Sequence, residues 1–291
     1  GLGNACPLAF DGGGDLFIND GGVLYRATEG EPPTVFTGQV PDARGFAFDA
    51  FGDLLVTSPA DSSVYRVSPD AEVSVFARLY NPRALAVGPD GSVWVAAVDS
   101  VHHLDPLGGL LESFDVRTAG TAARGIGFTP DGELLLSNFA AMWKLVDGTP
   151  VTIMADVPPM NRGFAVDADG RIYWARDPLH DGDTDRVIVY DDAGAVLEDT
   201  MVAQVVDPCL VLFVRDGDGA ATRRVLVARD DGSIVEANTD GIPAPGAPVP
   251  PQRRTTWHRP RGHLDLPRNR RWRPIRLPVR RSRQTPRPRK R

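Results

Sequence analysis

Four arginines recur at matching places in the chain and have the chemistry of an anion-binding site. Arg44, Arg83, Arg124 and Arg162 stand in the contexts ARGF, PRAL, ARGI and NRGF. A guanidinium group binds a carboxylate or a phosphate through two parallel hydrogen bonds. If the fold gathers these arginines, they suit a small anionic molecule or a protein partner. The alternative is that each arginine pairs with an aspartate of its own or the next repeat, because residues 1–241 contain 37 acidic residues.

A second group of residues, in the segment 177–186 (DPLHDGDTDR), has the chemistry of a calcium site. Asp181, Asp183 and Asp185 alternate, so that their carboxylates could present oxygen atoms to Ca²⁺. The spacing only half matches an EF-hand loop, since the Gly at the sixth position and the Glu at the twelfth are missing. A solvated Asp/Gly turn is the alternative interpretation of this segment.

A phrase that recurs about every forty residues determines the elements that position these side chains. Each unit has an apolar segment, an Asp/Gly turn and further apolar segments, with the glycine of the first turn at Gly14, Gly52, Gly91, Gly132 and Gly170. A fixed period of this size is typical of repeat architectures. The short apolar runs between turn sequences such as PDG and DADG predict β-strands, because no window spaces its apolar residues as a helix does.

Four short antiparallel strands in each unit predict one blade of a β-propeller. The second unit shows the pattern most clearly, with strands predicted at 45–49, 53–57, 63–67 and 73–77. Five units are clear, and residues 207–238 form a sixth with an insertion, RDGDGAATRR, between its first two strands. The proline-rich text after Gly241 is unsuited to a strand ladder. We therefore predict an all-β, six-bladed propeller with four-stranded antiparallel blades, in which the fourth strand of the last blade is not recognisable.

The propeller architecture places the candidate residues by symmetry. The innermost strands of a propeller line a central channel, and the loops that enter them gather around one mouth, which is the usual ligand site in this fold. The four arginines precede innermost strands, so we expect them around that mouth. Segment 177–186 joins the second and third strands of its unit and should emerge on the same face.

The last fifty residues differ in composition from the rest of the chain. Residues 242–291 hold 16 of the 32 basic residues and one of the 38 acidic residues, which gives them a net charge of +15 against −21 for residues 1–241. Rich in proline and poor in aliphatic residues, this tail is predicted to be disordered. Three interpretations of this tail compete. It is a basic arm that binds nucleic acid, with Trp257 and Trp272 stacking on bases, or a segment that screens the charge of the acidic propeller. The third is that it is the product of an out-of-frame stretch of a GC-rich gene. Apart from this tail, we expect no nucleic-acid binding.

The cysteines and the chain's first residues bear on its compartment. Cys6 and Cys209 open corresponding strands of the first and sixth units, which become neighbours when the ring closes, so a disulfide could join them. Such a bond favours an oxidising compartment, whereas the alternative is two buried thiols. No apolar stretch reaches the roughly 18–20 residues of a membrane span, and the start of the chain is compatible with a removed signal peptide. We expect a monomeric, extracytoplasmic protein, periplasmic or secreted, of bacterial character.

The repeat text, for instance DLLVTSPADSSVYRVSPD, resembles the NHL-repeat and SMP-30/gluconolactonase-like six-bladed propellers over residues 6–241. In the lactonase branch the resemblance implies a divalent metal, usually Ca²⁺, at the channel mouth. The phrase NRGFAVDADGRIYWARD is similar to a strand of that branch and implies Asn161 as one ligand, while Asp207 corresponds to a carboxylate ligand. The branch's glutamate is missing, because Asn4 to Pro7 stand in its place.

Two functions therefore compete. The first is a propeller binding module that holds an anionic ligand or partner at its channel mouth. The second is a Ca²⁺-dependent lactonase or ester hydrolase, in which a metal polarises the carbonyl and activates water. The chain has no P-loop, no dinucleotide-binding fingerprint, no CxxC pair and no marked nucleophile, and it lacks the His-bearing motif of the streptogramin-inactivating lyases that share this fold.

Overall fold

A computed structural model gives the structure of the chain. It describes the following segments, to which all structural statements below refer: 7–28, 30–117, 123–138, 141–155, 160–176, 186–203, 208–215, 221–229 and 234–238.

The described residues form six antiparallel sheets, each built from consecutive strands. The first sheet contains β1 (Leu8–Phe10), β2 (Leu16–Asp20), β3 (Val23–Ala27) and β4 (Thr34–Thr37). The second contains β5 (Gly45–Phe48), β6 (Leu54–Ser58), β7 (Ser63–Val67) and β8 (Val73–Arg78). The third contains β9 (Pro82–Val87), β10 (Val93–Ala97), β11 (Ser100–Leu104) and β12 (Leu110–Asp115).

The remaining three sheets continue the same order. The fourth contains β13 (Gly125–Phe128), β14 (Leu134–Ser137), β15 (Met142–Val146) and β16 (Thr149–Met154). The fifth contains β17 (Met160–Val166), β18 (Ile172–Arg176), β19 (Arg186–Tyr190) and β20 (Val196–Ala203). The sixth contains β21 (Pro208–Arg215), β22 (Ala221–Arg229) and β23 (Ile234–Asn238).

The six sheets close into a ring, which confirms the predicted all-β propeller. The first strands of consecutive sheets contact one another in the order β1, β5, β9, β13, β17 and β21, and β21 in turn contacts β1. Apolar side chains seal this last junction, because buried Leu8 and Ile18 of the first sheet pack against Leu212 and Leu226 of the sixth. Among the described residues the sixth sheet has three strands, and the completeness of the last blade stays untested because residues 1–6 and 239–291 lie outside the described part of the chain.

The predicted strands of the second unit lie within one residue of the observed ones at each end. The loop between the first two strands of the sixth unit is shorter than the predicted insertion, residues 215–224. Arg215 belongs to β21, and the segment from Ala221 to Arg224 belongs to β22. The error arose because Ala and Arg lack the strand preference of β-branched and aromatic residues, whereas pairing with the neighbouring strands decides their conformation. The described residues include no apolar helix of membrane-spanning length.

Small and large residues alternate along the innermost strands, as in GFAF and GIGF, and this alternation fits neighbouring blades together. Phe48 of β5 packs edge to face on Phe17 of the first blade, with ring centroids 5.1 Å apart. The small residues face the following blade. A Cβ atom on Gly45 would lie 2.9 Å from both the Arg83 carbonyl oxygen and the Cα of Ala84, so only glycine permits this approach of the two strands.

We expect Gly45→Ala to destabilise the protein because its methyl group would lie 2.9 Å from backbone atoms of β9, which would have to shift. The expected loss is about 1–3 kcal/mol of unfolding free energy in a urea titration. Gly38→Ala is the matched control, since nothing lies within 4 Å of a Cβ atom there. Equal stability of the two variants would contradict the packing argument.

The turn that follows each innermost strand is built in the same way in several blades. The turn glycines Gly14, Gly52, Gly91, Gly132 and Gly170 have φ between 81° and 88°, a left-handed conformation that other residues adopt at a cost. In the second blade the Oδ1 atom of the aspartate that begins the turn accepts hydrogen bonds from the backbone N–H groups two and four residues later, at 2.9 and 3.0 Å. The recurring Asp/Gly phrase of the sequence therefore encodes this turn.

Candidate functional site

A central cavity of about 620 Å³ runs between the six innermost strands. Every blade contributes to its wall, which is formed by the segments 7–12, 44–49, 83–87, 124–126, 163–166 and 211–213. All six innermost strands run in the same direction along the channel, because each blade repeats the same strand order. One mouth therefore carries the residues that begin these strands, and the opposite mouth carries the Asp/Gly turns that end them.

Three of the four predicted arginines lie together at the first mouth. Arg44 and Arg124 directly precede β5 and β13, Arg83 is the second residue of β9, and all three line the cavity. Arg162 lies at the corresponding place in β17, and its side chain falls outside the described part of the structure. The repeat symmetry thus brings residues 80 positions apart into one ring, as the sequence predicted. Their role in binding stays a prediction.

The arginines at this mouth differ in their partners. The Arg44 Nε atom donates a hydrogen bond of 2.7 Å to the Asp42 carboxylate, and both side chains are more than one-third exposed. The Arg83 Nε atom is buried and has no hydrogen-bond partner among the described residues. The backbone of Arg83 is held firmly, because its carbonyl oxygen accepts a 2.9 Å hydrogen bond from the Thr57 hydroxyl. The alternative that each arginine pairs with an aspartate therefore holds for Arg44. The buried N–H group at Nε of Arg83, in contrast, has no acceptor among the described residues.

The opposite mouth carries carboxylates, but these are engaged in the turns. Asp11 and Asp49 line the cavity. The Asp11 carboxylate accepts hydrogen bonds of 2.9 Å from the backbone N–H groups of Gly13 and Asp15. A cation from the third strand of the same blade compensates the charge of these turns, as in the Arg26–Asp15 pair at 2.6 Å. These turn carboxylates are therefore structural groups.

The second blade contains the most buried of these ion pairs. The Arg66 Nη2 atom lies 2.9 Å from an oxygen of Asp49, whose side chain is only 2% exposed. The same nitrogen donates a 2.8 Å hydrogen bond to the Pro106 carbonyl oxygen in the third blade, and the guanidinium lies over the Phe76 ring at 4.7 Å. Sequence reasoning missed this pair, although a cation at matching places in the third strands (Arg26, Arg66 and Lys144) was a usable signal.

His102, in β11, is a structural residue and not part of the channel. Its two ring nitrogens form hydrogen bonds with the hydroxyls of Ser100 and Ser113, at 2.9 and 2.8 Å. Burial of the ring lowers the pKa of His102 below its ordinary value of 6.5.

The lowered pKa of His102 predicts a pH dependence of stability. Below pH 6.5 the unfolded chain binds a proton at His102 that the folded protein does not, so this contribution is complete above the unfolded pKa and decreases as the pH falls toward the folded pKa. We expect His102→Gln to reduce the loss of unfolding free energy between pH 7.5 and 5.5, measured by urea titration at both pH values. An identical pH dependence in the variant would contradict this assignment.

The predicted metal ligands fall largely outside the described residues. Asp181, Asp183, Asp185 and Asp207 lie there, and for Asn161 the structure describes only the place in β17. No group of three or more His, Cys, Asp or Glu residues that could hold a metal occurs among the residues the structure describes. The three arginines lining the described part of the mouth would also repel a cation. The described residues therefore do not fit a divalent metal, and we derive no step through one.

Comparisons with known proteins place the fold but leave the activity open. No protein-family model matches the chain, and no curated protein matches it. A gluconolactonase from Xanthomonas campestris has a similar structure, with a TM-score of 0.64 and 18% identity, over 81% of this chain and 87% of that one. An auxiliary nutrient-binding protein from Bacteroides ovatus has a TM-score of 0.63 and 14% identity, over 81% of this chain and 69% of that one. Regucalcin, a calcium-binding protein from Agrobacterium tumefaciens, has a TM-score of 0.59 and 16% identity, over 78% of this chain and 82% of that one.

These likenesses confirm, at the level of the fold, the predicted resemblance to SMP-30/gluconolactonase-like propellers. At identities below 20% they carry no residue-level correspondence. The residues at the channel mouth are therefore the basis for inferring the function.

Proposed function

We propose that this chain is a propeller binding module whose arginine-bearing channel mouth holds the anionic group of a small molecule or of a protein partner. The observation that carries the proposal is the buried Nε of Arg83, which has no partner in the described part of the chain and belongs to a residue that lines the cavity together with Arg44 and Arg124. A buried polar group without a partner costs about 1–3 kcal/mol. An anion at this mouth removes that cost once the Arg83 side chain turns its Nε toward the cavity, and it forms charge-assisted hydrogen bonds.

The mouth is prepared for such a ligand before it binds. Arg83 is anchored through its backbone carbonyl by the Thr57 hydroxyl, and the Arg124 N–H donates a 2.7 Å hydrogen bond to the Ser137 carbonyl oxygen. The side chains of both arginines therefore extend from a backbone that is already held in place, which lowers the entropy lost when an anion is bound. By repeat symmetry Arg162 is the fourth member of the ring.

Titration with acetate and with inorganic phosphate tests the proposal. The signal of the Arg83 side-chain N–H group in a ¹H–¹⁵N spectrum should shift saturably with either anion, because Nε gains an acceptor. The Arg117 N–H group is the internal control. It already donates to both oxygens of the exposed Asp115 carboxylate, so it should barely respond. Absence of a saturable shift at Arg83 with both anions would exclude the proposed site.

A Ca²⁺-dependent lactonase or ester hydrolase is the second candidate, favoured by the structural likeness to a gluconolactonase and to regucalcin. Asn161 and Asp207 are its proposed ligands at the mouth, with Asp181, Asp183 and Asp185 as a further calcium-binding group. Calorimetric titration with Ca²⁺, followed by a lactone-hydrolysis assay, distinguishes the two functions. Saturable Ca²⁺ binding that Asp207→Asn abolishes, together with Ca²⁺-dependent hydrolysis, would favour the enzyme.

We also propose the compartment of the protein and the division of its chain into two parts. A nutrient-binding protein among the structural neighbours is consistent with an extracytoplasmic place for a binding module. We propose that residues 1–241 form a monomeric propeller and that residues 242–291 form a separate basic tail. The contact between β1 and β21 brings the first and sixth blades together, which a Cys6–Cys209 disulfide requires. Cys6 lies outside the described residues, and the bond stays a prediction.

A further inference from the structure

The face of the propeller that surrounds the mouth with the Asp/Gly turns is strongly acidic. This turn face carries the connections between the first and second strands and between the third and fourth strands of each blade, because consecutive antiparallel strands reverse direction. In the first five blades, the described residues of these connections include sixteen acidic residues, nine of them exposed, and one basic residue, Arg171. Three further bases reach the connections from the third strands: Arg26, Arg66 and Lys144. The described part of the turn face therefore has a net charge of −12.

The bases of the turn face are already paired with its acids. Each of the four forms an ion pair with an acid of its own blade, with 2.6–2.9 Å between nitrogen and oxygen. Acids such as Asp70, Asp131 and Asp192 remain in excess and are exposed. The opposite face is balanced, because the described side chains at its strand ends and connections include five acids and five arginines. The negative charge of the described propeller is therefore concentrated on one face, where its field reaches the solvent.

The chain leaves the propeller on this acidic face. The innermost strand β21 runs from the arginine mouth to the turn mouth, β22 returns, and β23 runs toward the turn face again. Asn238, at the end of β23, therefore lies there. The basic tail, residues 242–291 with a net charge of +15, begins four residues later. A chain of this length spans up to about 170 Å when it is extended, so the tail can cover the turn face from its point of attachment.

We infer that the basic tail 242–291 binds the turn face of its own propeller. The charges of the two parts are opposite and similar in size, and covalent attachment holds the tail at an effective concentration on the order of mM. The contact is electrostatic, because the tail is poor in aliphatic residues, and salt therefore weakens it. The inference concerns the face opposite the arginine mouth, so it does not rest on the proposed function.

Carbodiimide coupling in the full chain tests the inference, because this reagent joins an amine to a carboxylate that it contacts. The chain contains two lysines, Lys290 in the tail and Lys144 in the fourth blade. At low ionic strength we expect Lys290 to couple to exposed acids of the turn face such as Asp131 and Asp192, identified by mass spectrometry. Coupling of Lys144 to Glu133, 2.6 Å away, is the internal control. At 1 M salt, where the Debye length is about 3 Å, the Lys290 couplings should disappear and the control coupling should persist.

Three exposed acids of the opposite face provide the comparison: Asp61, Asp99 and Asp115. Coupling of Lys290 to them as often as to acids of the turn face would overturn the inference. Absence of any Lys290 coupling, while Lys144 couples, would overturn it as well, and binding of a short DNA duplex by the same protein would then identify the tail as a nucleic-acid arm. A mixture of ¹⁵N-labelled and unlabelled protein separates couplings within one chain from couplings between copies. Couplings found only between copies would show an interface between two chains, and the inference would be wrong.

A pair of variants with equal net charge makes the test specific for the face. Asp70→Asn combined with Asp192→Asn removes two charges from the turn face, and Asp61→Asn combined with Asp99→Asn removes two from the opposite face. We expect the first variant to lower the coupling of Lys290 to the remaining turn-face acids about twofold or more, in line with the strength of exposed ion pairs. The second variant should leave this coupling unchanged. An equal effect of the two variants would mean that net charge alone, and not the turn face, attracts the tail.

Discussion

Replacing Arg83 with methionine is expected to lower the affinity for acetate and for inorganic phosphate at least tenfold. The change removes the buried Nε donor that has no partner among the described residues, and a hydrogen bond to a charged group contributes about 1.5–3 kcal/mol. The same change removes an unsatisfied buried group, so the variant should be at least as stable as the natural protein in urea. Calorimetric titration and urea unfolding measure the two effects.

Two further variants make this prediction specific. Arg83→Lys keeps the charge but loses the planar pair of donors, so its affinity should fall between those of the natural protein and Arg83→Met. Arg44→Met should have a smaller effect than Arg83→Met, because Arg44 is already paired with Asp42 and its side chain is 39% exposed. An unchanged affinity in Arg83→Met would overturn the assignment of this arginine, whatever the other variants show.

Replacing Arg66 with methionine is expected to lower the unfolding free energy by about 2–3 kcal/mol. The change leaves the buried Asp49 carboxylate without its counter-ion, and breaking a buried ion pair costs about 3–5 kcal/mol. The expected loss lies at or below the lower limit of that range because the Arg66 side chain is 22% exposed and partly screened by water. The hydrogen bond from Arg66 to the Pro106 carbonyl oxygen also disappears, and with it a link between the second and third blades.

The matched control for this prediction is another arginine–aspartate pair. Arg117 and Asp115 form an ion pair in which both side chains are at least half exposed. The neighbouring guanidinium lowers the pKa of Asp115 to about 2, yet water screens such a pair, and Arg117→Met should leave the midpoint of urea unfolding unchanged. Equal destabilisation by Arg66→Met and Arg117→Met would show that burial of Asp49 is not the cause.

Arginines at the two mouths of the channel have different partners. At the turn mouth, arginines of the third strands neutralise carboxylates that hold the turns, as Arg66 does for Asp49. At the strand-start mouth, Arg83 projects from an innermost strand, where no described carboxylate reaches its Nε. The end of the blade alone does not decide whether an arginine is paired, because Arg44, at the same mouth as Arg83, donates a hydrogen bond to Asp42.

The sequence by itself determined the architecture of this protein. The period of about forty residues, the turn glycines such as Gly52 and the short apolar runs are local signals, because positive φ and strand formation depend on neighbouring residues. They predicted the strands of the second blade to within one residue. Repeat symmetry then sufficed to place Arg44, Arg83 and Arg124 at one mouth, since equivalent positions in a closed ring lie at equal depth.

Only the tertiary structure decided which of these arginines has a side-chain donor without an acceptor in the part of the chain that the structure describes. The three residues have similar sequence contexts, but the partner of Arg44 is the nearby Asp42, whereas the burial of the Arg83 Nε results from the packing of whole blades. The pairing of Arg66 with Asp49 is likewise a contact between residues 17 positions apart, brought together by strand register. Hydrogen-bond partners and burial depend on distances across sheets and between blades, and a pattern along the chain does not contain those distances.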